Sequence, residues 1–409
     1  MNLQDKNSAL EELAKVQQAY YQGMSYSPYQ DKTVLRQLMG KTVKMSQQKY
    51  GDKSIVSEKE AYELMDEVLD SPLQTELENP ILYRKLIRVF NSIEAAVHEL
   101  NIQLPMPLIF GSVQAPDPNA IVWLAKDVDV CIIAFHTGIY GYLFRMSQLV
   151  ISAAKILDEG DGYRLLFDHD SIQQRLSEAP AIYDRFLQVL DAMVMLGNVY
   201  RSPIYLPMEE IRQVFTSFLT KGSQHFLMGH EYGHVIAGHT SRSKTMQVLF
   251  GGEEIAQINT SWEQEFEADR LGLMLALVSM SNEEEFEYDI NYLYWGIDFG
   301  LSAFNILEKA LSTVIYGNEK QWSSATHPSS YERRCKLRES LQEVLLSTWG
   351  ETEEQKKALI KGTAKFLKLG KDLEVILEIL WLQTKDNFTD YYRRQVLPGR
   401  SWRPKLFGN

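Results

Sequence analysis

The 409-residue chain carries 42 Lys and Arg against 54 Asp and Glu, a formal charge of −12, which excludes nucleic acid and anionic membrane surfaces as main partners because both need a basic footprint. This length exceeds what one hydrophobic core usually organises, so a core with helical additions is expected. Two cysteines, Cys131 and Cys335, are too few for a disulfide framework and fit a reducing compartment.

The N-terminal "MNLQDKNSALEELAKV" has no basic region followed by an apolar one, so no secretory signal is visible. The first hundred residues read as helical. After "ENP", Asn79 is a cap and Pro80 the first helical position, and Leu82, Leu86, Val89, Ile93 and Val97 recur at steps of four, three, four and four, the buried face of an amphipathic helix. Between Pro105 and Tyr142, short β-branched runs separated by Gly, Pro and Asp predict a small sheet or hairpin, the only convincing β-rich segment. From Met146 to Lys221 the pattern returns to helices, with polar breaks at "DEGDGY" and "RSPIYLP". The stretch "FLMGHEYGHVIAGH" follows at Phe226–His239, then a helix after Trp262, a loop "SSATHPSS", and helices from Tyr331 until Pro398. The run "LGLMLALVSM" after Arg270 falls well short of the ~20 residues of a membrane span, and a cytoplasmic location is the expectation. The terminal "YYRRQVLPGRSWRPKLFGN", with five basic and no acidic residues, reads as a solvated end rather than a docking tail. The fold class expected is mainly α with a small sheet or hairpin (α+β).

His230 and His234 are four apart, so on a helix their imidazoles project to one side. That spacing suits two ligands of a zinc ion, with Glu231 beside the metal to take a proton from zinc-bound water. Gly229, Gly233, Ala237 and Gly238 are small enough to let another element approach. A catalytic zinc needs a third protein ligand and an open position. A third histidine six residues after His234 is absent, since that position is Thr240. His239 is one residue out of register on the helix and reads as a surface or supporting residue. In "SWEQEFEADRLGL", Glu265 and Asp269 are again four apart, beside the small Ala268 and Gly272. Glu265 therefore completes a His, His, Glu set, and Asp269, a turn on, can fix the tautomer of a ligand histidine. Glu263 and Glu267 fall on other faces and read as solvated charges.

In order and spacing, "GHEYGHVIAGH", "EFEADRLGL" and "THPSSYERR" resemble the gluzincin metallopeptidase family that includes the membrane-bound CAAX prenyl-protein endopeptidases, the HtpX-type quality-control proteases and periplasmic relatives. "DPNAIVWL" resembles the edge strand that precedes the active-site helix there. The resemblance spans roughly Pro107 to Leu337 and implies a zincin-like helical core, one Zn²⁺ on His230, His234 and Glu265, and Glu231 as general base. It further implies that Asn119, His327 and Arg333 face the scissile carbonyl or its oxyanion, or that His327 closes onto zinc as a latch. The peptide would lie extended beside the strand containing Asn119. The chain departs from the family in lacking spanning helices and an export signal, and in the length of the stretch 146–221, which reads as an insertion able to form a lid or platform. The divisions expected are a helical region at 1–105, a metallopeptidase core at 106–345 and a helical segment with the basic tail at 346–409.

Other candidates carry less. "HEL" at His98 lacks a second histidine, Asp168 in "DHD" reads as a helix cap, and His136 reads as a satisfied core or turn residue. No P-loop, dinucleotide-binding glycine pattern or GxSxG elbow occurs. The expected function is zinc-dependent hydrolysis of peptide bonds in protein or peptide substrates. The alternatives are a latched or inactive zincin-fold module that binds or regulates a partner, and a metal with a purely structural role. Oligomeric state and natural substrate are not legible.

Overall fold

The computed structural model describes residues 1–24, 72–160, 163–202, 209–240, 245–250, 253–258, 261–282, 291–319 and 327–396, with single positions between 36 and 70. The chain is mainly helical with a small sheet, and the described residues form ten α-helices. The "RSPIYLP" break, most of "SSATHPSS" and the basic tail beyond 396 lie largely outside the described residues.

Helix α1 (Leu3–Met24) and α2 (Pro80–Glu99) sandwich a central sheet. Asn79 caps α2 by accepting from the amides of Ile81 and Leu82, and Pro80 starts the helix, so the apolar spacing of Leu82 to Val97 becomes one buried face. The sheet has the order β1 (Leu108–Val113), β3 (Cys131–His136), β2 (Ala120–Leu124), β7 (Glu253–Ile258), β6 (Thr245–Phe250). β1 and β3 are parallel, pairing Leu108 with Cys131 through Val113 with His136, and the remaining pairings are antiparallel. Side chains alternate across it: Ile109, Val113, Ile121 and Ile132 pack with Ala9, Leu13 and Val16 of α1, whereas Phe110, Val122 and Ile133 join Leu86, Val89 and Ile93 of α2. Burial on both faces explains why these strands read as unbroken apolar runs.

Two features depart from the sequence expectation. β2 is not an edge strand, because β7 lies beside it, although β7 is in register only at Trp123 and Leu124. The stretch after Met146 is not all helical either: α3 (Thr137–Ala153) leads into a two-stranded hairpin, β4 (Lys155–Asp158) and β5 (Tyr163–Leu166), then α4 (His169–Glu178) and α5 (Ala181–Val194). Asp168 caps α4 through the Ser171 amide at 2.9 Å, as its sequence context predicts. Met146, Leu149 and Val150 of α3 and Phe186, Leu190 and Met193 of α5 are buried in the main core, so this stretch is a structural layer.

Helix α6 (Glu210–Ile236) runs through the centre and meets α7 (Trp262–Ser281), while α8 (Asn291–Tyr316), α9 (Ser330–Trp349) and the long α10 (Glu353–Tyr391) close the far side. Leu373, Ile376, Leu377, Leu380 and Trp381 of α10 are buried with Trp295, Phe299, Ala303 and Ile306 of α8. No helix among the described residues is long and apolar enough to cross a membrane.

Candidate metal centre

Two helices that nearly touch backbone to backbone build the site. A Cβ on Gly229 would stand 2.8 Å from the Gly272 carbonyl oxygen, one on Gly233 2.6 Å from that of Ala268, and one on Gly272 2.7 Å from the His230 amide. Only a stripe of small residues allows α6 and α7 to approach so closely, and that approach delivers Glu265 to the histidines. The other small residues act differently, for Ala237 ends α6 and a Cβ on Gly238 would meet nothing within 4 Å. Ser261 caps α7 in a reciprocal box with Gln264, which fixes the first turn one residue before Glu265.

His230, His234 and Glu265 are all buried, and one ligand atom from each lies within 4.8 Å of the others. The two Nε2 atoms are 3.2 Å apart, and each is 3.6 Å from a Glu265 oxygen. The two carboxylate contacts use different oxygens, Oε2 toward His230 and Oε1 toward His234, while the separation of the two Nε2 atoms is close to the about 3.4 Å edge of a tetrahedron around an ion about 2.1 Å from each ligand. Two imidazoles and one carboxylate are a donor set suited to zinc, and the three residues form a possible metal-binding triad.

The remaining imidazole nitrogens point away from the triad toward partners. His230 Nδ1 lies 2.9 Å from Asp269 Oδ1, and Asp269 in turn accepts two hydrogen bonds from Arg333 of α9, at 2.6 and 2.9 Å. Arg333 therefore commits its guanidinium to Asp269, with the same nitrogen 3.2 Å from His230 Nδ1 and 4.0 Å separating the guanidinium from Glu265. His327, exposed just before α9, sets its Nδ1 3.2 Å from Glu265 Oε1. Asn119 lies just before β2, exposed, with its carbonyl accepting from the His136 amide. His136 is buried with Nδ1 2.9 Å from Asp117, and His98 is exposed on α2.

Burial and the neighbouring charges compete at each group. At Glu231, burial pushes the carboxyl up to about 6, with Glu265 adding to the rise while His230, Arg333 and His327 oppose it. Burial also drives His234 well below the usual imidazole range, aided by His230. For His230, burial and Arg333 push downward but the carboxylates of Asp269 and Glu265 outweigh them, so the net direction is up. Burial would raise Glu265 and Asp269. The His327 contact and the nearby positive groups hold Glu265 far below the carboxylate range, and Arg333 chiefly holds Asp269 at about 2.

One neighbour escaped the sequence reading. Tyr140 of α3 is buried, its hydroxyl has no hydrogen-bond partner among the described residues, and burial followed by the Glu231 charge raises its pKa well above the usual value. Nothing in the local sequence marks Tyr140, because α3 reaches the site through its packing against α6.

No curated protein and no solved structure matches the chain. The profile of the Peptidase U49 family matches residues 140–347, just over half the chain, from α3 through the two histidines and Glu265 to the end of α9. The chain with this buried triad thus belongs to the Peptidase U49 family.

Proposed function

We propose that the protein is a zinc-dependent endopeptidase of the gluzincin kind that its motifs resemble, hydrolysing peptide bonds of protein substrates. One observation carries this reading: the convergence of His230, His234 and Glu265 from two helices, with the buried Glu231 in the same turn of α6. Family membership supports a peptidase. Zinc bound there would polarise the scissile carbonyl and acidify the attacking water. Glu231, whose carboxyl burial raises to about 6, takes the proton from that water and hands it to the leaving amine. Asp269 fixes the His230 tautomer and Arg333 braces Asp269 from behind. His327 and Asn119, both exposed, offer donors to the developing oxyanion. In the three-part division at 105 and 345, the flanking helices act as scaffold. The two free cysteines suit a cytoplasmic site of action.

A second reading has a specific observation in its favour. His327 Nδ1 lies 3.2 Å from Glu265 Oε1, the contact expected of a latch over the triad in a regulatory module. One paired assay separates the two. Zinc-loaded wild type should release peptides from unfolded casein, whereas Glu231→Gln should keep its zinc and lose at least about 100-fold in rate. A zinc-loaded wild type that cleaves nothing supports the latched module.

A further inference from the structure

His239 was expected to point elsewhere on the helix that carries the histidine pair. The helix instead ends at Ile236, and Gly238 takes φ +67°. The Gly238 amide donates to the Val235 carbonyl and the His239 amide to that of His234, at 2.9 Å. This pair of bonds is a Schellman closure, which needs a residue that tolerates the left-handed region. The reversal brings the His239 ring back under the last turn, where it is 2 % exposed, with Nδ1 3.0 Å from His234 Nδ1. Its other nitrogen, Nε2, is 3.2 Å from Oε2 of Glu267, a half-exposed residue on α7 two positions beyond Glu265.

Proton inventory then fixes the direction of this chain. With His234 Nε2 turned to the triad, its only N–H is at Nδ1, and that N–H must donate to an unprotonated His239 Nδ1. The His239 proton therefore sits on Nε2 and donates to the Glu267 carboxylate. We infer that His239 is a positioning residue for the second histidine of the triad, held in the required tautomer by Glu267, so that a carboxylate–imidazole–imidazole relay does for His234 what Asp269 does for His230. This rests on the metal-centre reading above. The two ligand imidazoles are then braced independently, one from α9 through Arg333 and Asp269, the other from the turn after α6 through His239 and Glu267.

The test uses the full-length chain with Zn²⁺ and, separately, Co²⁺ as probes, reading the metal dissociation constant by chelator competition and the visible spectrum of the cobalt protein. His239→Leu removes the acceptor and should weaken metal binding roughly 10–100-fold and shift the cobalt bands. His239→Asn places a carbonyl oxygen near the position of Nδ1 and should restore affinity to within a few-fold of wild type, a rescue that simple filling of space would not produce. Glu267→Leu interrupts the same relay from its half-exposed end and should weaken binding in the same direction, which keeps the inference testable if His239→Leu fails to fold. Wild-type affinity and an unchanged cobalt spectrum in Glu267→Leu and in folded His239→Leu overturn it. A wild-type chain that takes up neither metal overturns the metal-centre reading itself, a result distinct from normal uptake by wild type and variants alike.

Discussion

Asp269 joins the site to the rest of the molecule, since one carboxylate meets both His230 and the Arg333 guanidinium. Asp269→Asn keeps an acceptor for His230 but leaves Arg333 without its main counter-charge. Metal affinity should fall about 10–100-fold. Stability should fall by less than the about 3–5 kcal/mol lost when a fully buried pair is broken, because Arg333 is one-fifth exposed and still near Glu265. Chelator competition and chemical denaturation check the two effects. The four-residue spacings of His230 with His234 and Glu265 with Asp269 were legible because each pair shares one helix, where periodicity fixes direction. The engagement of Arg333 with Asp269 was not legible, since it depends on how α9 crosses α7. His239 lies past the helix end that the "AGH" sequence signals, and its 2 % exposure excludes the surface position while agreeing with the supporting one.

Helices α6 and α7 depend on each other's small residues. Gly233→Ala would place a methyl 2.6 Å from the Ala268 carbonyl oxygen and 2.9 Å from its Cα, both backbone atoms of α7. The helices must separate, which should cost about 1–3 kcal/mol and move Glu265 away from the imidazoles. A lowered melting temperature together with substoichiometric metal checks this, whereas Gly238→Ala should disturb the turn rather than the helix contact. At this scale the helices and the β1–β3 region were readable from apolar spacing and β-branched runs. Both hairpins were missed. β4 and β5 are four residues each and only partly buried, so they carry no clean alternation. β6 and β7 flank a Gly-Gly pair, itself a hairpin signal in the sequence.

The outer helices are fixed to the whole by buried polar contacts as well as by apolar packing. Gln17 of α1 donates to Glu78 Oε1 at 3.0 Å, and the Ser112 amide of β1 donates to Glu78 Oε2 at 2.8 Å. Burial raises the Glu78 carboxyl to about 7 against the lowering effect of those hydrogen bonds. The folded chain therefore holds this proton to higher pH than the unfolded chain does, and the stability it contributes is lost as pH rises from about 4.5 through 7. Glu78→Gln should flatten that part of the profile of denaturation midpoint against pH. At the other end, Arg334 and Arg338 of α9 both reach Glu374 of α10, and Arg338 also pairs with the fully buried Asp298 of α8. Truncation after Gly350 would expose Trp295 and Phe299 and leave those arginines without Glu374. The product should be unfolded or aggregated by circular dichroism and light scattering, whereas a folded product would show that α10 is not part of the scaffold. The proposed chemistry needs one cation between α6 and α7, which elemental analysis of purified protein measures. Wild type should carry about one zinc per chain and folded His230→Ala or Glu265→Ala essentially none; metal-free wild type, or variants that retain full occupancy, would overturn the metal site.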